Sequence, residues 1–185
     1  MRLFIVNAFE DLDTPLQAIS ESLSQLPVTI SSLDLAKEGF SDFMSERERE
    51  AYHLENNLVS PAQKRSAELV KSTEGLILCY PLTNDIFPAI AKSWFERVFI
   101  PGVSFTFSES GRVKGALRDL RYIHFLALAE PNTKRLKRSN PSKSLLRAIR
   151  MNAGLMCRSS LSVIHDLESF GISARSKLIK GGYFR

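Results

Sequence analysis

Apolar residues follow two rhythms along this chain. Leu3-Phe4-Ile5-Val6 and the run from Gly75 to Tyr80 are almost unbroken, which leaves no alternation for a solvated face and predicts short strands buried on both sides. Leu16, Ile19, Leu23 and Leu26 instead recur at helical spacing, with Thr14 as the expected N-cap and Pro15 at the first helical position. The β-branched start of Val28 to Leu35 predicts a second strand, ending before Gly39-Phe40. Ser45 to Leu58, rich in Glu and Arg, reads as an exposed helical excursion, and Ser60-Pro61 opens a helix reaching about Ser72.

The third strand, Gly75 to Tyr80, is expected to stop at Pro81, because proline cannot donate to a central ladder. From Pro88, the residues Ile90, Trp94 and Val98 form an apolar helix face that Pro101-Gly102 terminates. Phe105 to Phe107 reads as a short extended segment and Leu120 to Leu128 as a fourth strand. A helix from about Pro141 to Met151, another from Leu155 to Phe170 and a last strand near Ile172 to Ile179 complete the series. Five strands separated by helices predict an α/β three-layer sandwich with a parallel sheet, residues 1 to 185 forming a single domain.

Composition narrows the classes. With 185 residues, 44% apolar, 24% charged and two cysteines, the chain is no disordered tail, collagen repeat or disulfide scaffold. Cys79 and Cys157 lie far apart, with no CxxC and no histidine at ligand spacing, so no metal is expected and a reducing compartment fits best. Glu10, Asp11 and Asp13 cut the first apolar run short of a signal sequence, and no run is long enough to cross a bilayer. The cytoplasm is the expected location.

Net charge is +5, and its clearest local source is Lys134-Arg135-Leu136-Lys137-Arg138. Such a run suits the phosphates of a nucleic acid, a dinucleotide or a lipid, or is simply a solvated loop. No zinc-finger spacing, aromatic single-strand signature or recognition helix accompanies it, so no nucleic-acid partner is expected. His53, His124 and His165 do not cluster by spacing, and no side chain is assigned a catalytic role.

In an open parallel sheet a ligand sits beyond the carboxyl ends of the strands, where strand order reverses. Three loops reach that crevice: Asn7 to Pro15, Pro81 to Pro88, and Ala129 to Asn132. Pro81-Leu82-Thr83-Asn84, Pro88-Ala89, Lys92-Ser93-Trp94-Phe95-Glu96-Arg97-Val98 and Pro101-Gly102-Val103-Ser104-Phe105-Thr106-Phe107 resemble the central motif of the flavodoxin-like NAD(P)H:quinone oxidoreductase and FMN-dependent azoreductase superfamily. The likeness runs in order over about residues 1 to 130 and is most specific from Pro81 to Phe107.

The resemblance implies a flavodoxin-like sandwich with sheet order 2-1-3-4-5, a homodimer with sites at the interface, and a flavin carrying hydride from NAD(P)H to a small-molecule acceptor, a quinone or azo compound. It places Pro81, Leu82, Thr83, Asn84 and Asp85 along the isoalloxazine and adds Thr14 and Glu130 as cofactor residues from the neighbouring loops. FMN is the implied flavin, with FAD as the alternative. Two departures stand out. Members usually grip the flavin phosphate with a serine-rich or His-Pro loop after the first strand, whereas Asn7 to Pro15 carries Glu10, Asp11 and Asp13 and one hydroxyl. The glycines common after the fourth strand are absent from Leu128-Ala129-Glu130-Pro131-Asn132. The rival reading is a relative that kept the fold for regulation or interaction with little or no flavin binding.

Overall fold

A computed structural model describes residues 1–10, 13–83, 86–129, 141–154 and 156–181. Its main sheet holds β1 (Arg2–Asn7), β2 (Thr29–Asp34), β3 (Gly75–Leu82), β6 (Tyr122–Ala129) and β7 (Arg158–Ile164), in the order β2-β1-β3-β6-β7. Every neighbouring pair runs parallel. Between β3 and β6 the chain inserts a separate antiparallel hairpin, β4 (Phe105–Phe107) with β5 (Val113–Gly115), so the expected order of 2-1-3-4-5 has to be renumbered. The helices are α1 (Thr14–Leu23), α2 (Glu46–Ala51), α3 (Pro61–Ser72), α4 (Ala89–Val98), α5 (Pro141–Asn152) and α6 (Ser169–Lys180).

Strand periodicity explains why the apolar runs are continuous. Phe4 and Val6 of β1, with Leu76, Leu78 and Tyr80 of β3, face a core shared with α3, α4 and α5. Their alternates Leu3, Ile5, Ile77 and Cys79 face the opposite core, filled by Ile19 and Leu23 of α1 and by Phe170, Ala174 and Leu178 of α6. Each fully buried Leu, Ile or Phe contributes roughly 1.5–3 kcal/mol over its exposed state, which makes β1 and β3 the anchor of the sheet.

The last third reverses the expectation from sequence. Arg158–Ile164 is a strand and Ser169–Lys180 a helix, where a helix from Leu155 to Phe170 and a strand from Ile172 to Ile179 were expected. The strand is serine-rich because β7 is an edge, half-buried along most of its length. The helix is marked by Phe170, Ala174 and Leu178, buried at four-residue spacing, while Ile172 and Ile179 are exposed. Gly171 is required there, because a Cβ would come within 2.4 Å of the Ala18 carbonyl on α1.

Two smaller corrections concern the site. Pro81 lies within β3, opposite Leu128, because β1 stops at Asn7 opposite Cys79. The flank facing β1 is therefore open, and a missing N–H is tolerated. The residue at the N-cap of α1 is Asp13, with Thr14 the first helical residue.

Candidate functional site

The order β2-β1-β3 reverses direction between β1 and β3, and the crevice beyond their carboxyl ends is where this topology leaves room for a ligand. A cavity of about 480 Å³ opens there, lined by Ala8 and Glu10 after β1, by Pro81, Thr83 and Phe87 at the exit of β3, and by Asp42 from the segment before α2. That volume is within the usual range for small-molecule sites, roughly 300–1,000 Å³.

Its floor is rigid and largely apolar. Tyr80, fully buried, donates its hydroxyl to Ser142 Oγ at 2.8 Å and thereby ties the end of β3 to the first turn of α5. Burial pushes the Tyr80 phenol well above its ordinary pKa, against the hydrogen bond with Ser142, so it remains a neutral donor. The Phe87 ring packs on Tyr80 with centroids 4.8 Å apart and stacks on Phe125 at 6.3 Å. The amide of Ile86 donates to the Thr83 carbonyl at 2.9 Å, closing the exit loop on itself.

Asp42 lies just before the excursion, which is held by a buried ion pair. Ser45 caps α2 in a reciprocal box with Glu48, and the Glu48 carboxylate accepts from Arg97 Nε of α4 at 2.7 Å. These side chains are 4% and 7% exposed, respectively, and the guanidinium lies 4.6 Å from the centroid of the Phe40 ring. Burial alone would raise the Glu48 carboxyl, but hydrogen bonds from Ser45 and Arg97 outweigh it and hold the pKa below the ordinary value. The i,i+4 spacing of Lys92 and Glu96 gives a second, exposed pair on the same helix.

The turn after β1 is built differently. Asn7, buried at the end of β1, donates Nδ2 to Asp34 Oδ2 at 2.8 Å, and the backbone N–H of Lys37 donates to Asp34 Oδ1 at 3.1 Å. The Lys37 ammonium reaches across to Asp13, donating to both carboxylate oxygens at 2.5 and 2.6 Å. Its hydrogen bond to Asp13 raises the Lys37 pKa against an opposing effect of burial. Both side chains are more than half exposed. The Asp13 carboxylate makes no capping bond to α1.

Of the cofactor residues implied by the resemblance, Pro81 and Thr83 line this cavity. Leu82 is fully buried and joins the core. Thr14 is exposed on α1 and is not among the lining residues. Asn84, Asp85 and Glu130 lie outside the described residues, as does the basic run Lys134 to Arg138. Asp42 and the Arg97–Glu48 pair escaped the sequence reading, since only the fold of the excursion brings them to the site.

Away from the cavity, His124 is buried between β6 and β7, its Nδ1 hydrogen-bonded to Ser160 Oγ. Burial and the charge of Lys177 push its pKa down to about 3, so the ring stays neutral. Cys79 and Cys157 are free thiols, both buried. Among the described residues no three His, Cys, Asp or Glu side chains gather to hold a metal, and no helix is long and apolar enough to cross a membrane.

Solved structures share this architecture. The NAD(P)H:quinone oxidoreductase of Methanothermobacter marburgensis superposes with a TM-score of 0.72 at 20% identity, covering 96% of each chain. The FMN-dependent NADH-azoreductase of Bacillus anthracis, in complex with FMN, gives 0.72 at 15% identity over 99% of this chain and 98% of the other. General stress protein 14 of Treponema denticola, also in complex with FMN, gives 0.58 at 14% identity over 100% and 99%. No curated protein matches the chain. The family model for the flavodoxin-like fold matches residues 1–177, and the chain belongs to that family.

Proposed function

We propose that the protein is a flavin-dependent oxidoreductase that carries a hydride from NAD(P)H to a quinone or azo compound. The observation behind this reading is the cavity at the β1/β3 switch point, with a rigid aromatic floor under the exit of β3. The quinone oxidoreductase and FMN-dependent azoreductase among the fold neighbours support it.

Bound flavin would supply the redox chemistry, taking hydride from the nicotinamide and passing it to the acceptor. The chain's own task is then to hold a flat ring, orient it and keep water away. Pro81, Thr83 and Phe87 suit that task by position, and we assign the ring to the segment from Pro81 through Leu82, Thr83 and Asn84 to Asp85, with Thr14 at the start of α1 and Glu130 as further cofactor residues. The ring end of the cavity fits such a group: it is apolar at its floor and has the Thr83 hydroxyl at its rim. The end of the cavity at the β1–α1 turn does not fit the phosphate of FMN or FAD, because Glu10 lines it and, at the start of α1, the Lys37 ammonium is already engaged by Asp13.

We further propose a homodimer, acting as one domain per chain in the cytoplasm. Phe43 is exposed beside Tyr52, His53, Phe95 and Phe99, which line an adjoining cavity of about 560 Å³ that shares Asp42 with the first. A second copy covering those rings would also roof the site.

The test is protein-dependent oxidation of NADH or NADPH by a quinone with added flavin. Turnover that requires both flavin and protein supports the reading. Flavin binding without turnover overturns the hydride-transfer step, and absence of flavin binding overturns the whole proposal and favours the interaction-protein alternative.

A further inference from the structure

Resting on that reading, we propose that this chain holds flavin by its ring and selects against a phosphate on the tail, with Asp13 as the selecting residue, so that riboflavin is preferred to FMN and FAD.

The cavity runs from Pro81 and Thr83 to Ala8 and Glu10, which open the β1–α1 turn, and the turn closes at Asp13. A flavin tail leaving the ring along that path meets Glu10 first and Asp13, at the N-cap of α1, next. A phosphate monoester carries about −1.5 to −2 charges at neutral pH, so each of these carboxylates opposes it.

The usual compensation is weakened on two counts. A helix start binds phosphate through unpaired N–H groups, and Pro15 removes one of them from the first turn of α1. A cation is the other means, and Lys37 is at this place; its ammonium is chelated by both oxygens of Asp13. Recruiting Lys37 to a phosphate would strip Asp13 of its counter-ion and leave an uncompensated carboxylate beside the incoming dianion. Asp13 therefore occupies the position of the anion itself. The neutral hydroxyl at the end of a riboflavin tail meets no such opposition and donates to the same carboxylates.

The experiment is a fluorescence titration of the full chain, and of Asp13→Asn, with riboflavin and with FMN at low salt. The exposed position of Asp13 makes the variant safe for folding. Wild type is expected to bind riboflavin about tenfold more tightly than FMN, the scale of one uncompensated like-charge contact. In Asp13→Asn the freed Lys37 raises FMN affinity about tenfold, while riboflavin affinity stays within about twofold. Added salt narrows the wild-type gap. Wild type binding FMN as tightly as riboflavin, or more tightly, as grip by the basic run Lys134 to Arg138 would produce, overturns the inference and leaves the proposed function standing. An Asp13→Asn variant that moves both flavins equally also overturns it. Binding of neither flavin by wild type overturns the proposed function and this inference with it.

Discussion

Two ion pairs, one on the helix α4 that leads away from the cavity and one at the end of the β1–α1 turn, differ in almost every physical respect. Arg97–Glu48 is buried beneath the excursion, seated on Phe40 and tied into a helix cap. Lys37–Asp13 is exposed at the start of α1, each side chain more than half open to solvent. The first fixes α2 against α4, because an unpaired charge at that depth is expensive. The second contributes little to stability, since solvent screens it, yet it sets the charge that a ligand tail encounters. A side chain's burial thus separates the residues that shape this site from those that tune it.

The sharpest way to break that contrast is Glu48→Ala. It leaves the Arg97 guanidinium buried without its counter-ion and is expected to cost about 3–5 kcal/mol in denaturant unfolding. The pH dependence has a definite sign. The Glu48 pKa is depressed in the folded chain, so its contribution is present above the unfolded value near 4.5 and is lost as pH falls through the lower folded value. Glu48→Gln removes that part of the acid limb.

His124 tests whether burial without an ion pair also produces acid sensitivity. Its folded pKa of about 3 lies below its unfolded value of 6.5, so the unfolded chain binds the extra proton between them. Stability falls by about 1.4 kcal/mol per pH unit as the pH drops below 6.5, reaching roughly 2 kcal/mol by pH 5. His124→Asn flattens the stability-versus-pH curve in that window.

Tyr80→Phe probes the floor of the cavity. Loss of the hydrogen bond to Ser142 is expected to cost about 1 kcal/mol and to loosen the register of β3 against α5. The smallest effect belongs to the exposed pair: Asp13→Asn and Lys37→Met leave the unfolding midpoint where it is in wild type. A large shift in either variant would erase the distinction between the two pairs.

Much of the fold was legible because its strands are buried on both faces. Leu3 to Val6 and Gly75 to Tyr80 admit one reading, and the crossover helices follow from Pro15, Pro61 and the periodic faces they precede. The reading failed at Arg158–Ile164 and Ser169–Lys180, where an edge strand carries serines and a helix exposes two isoleucines, so local apolarity pointed the wrong way in both. At the site, Pro81 and Thr83 announced themselves through the strand exit. Asp42, Glu48 and Lys37 did not, because each reaches its place by a tertiary contact that no local spacing encodes. The acidity of the β1–α1 turn was visible in sequence; the chelation of its neighbouring lysine was not.

The central claim is that a flavin ring lies against the chain where it leaves β3. Riboflavin binding to wild type and to Thr83→Trp, measured by calorimetry, tests it most directly, because Thr83 is exposed at the rim and an indole there fills the cavity without disturbing the core. The account predicts saturable binding of one flavin per wild-type chain and its loss in the variant. Equal affinity for the two proteins would contradict it.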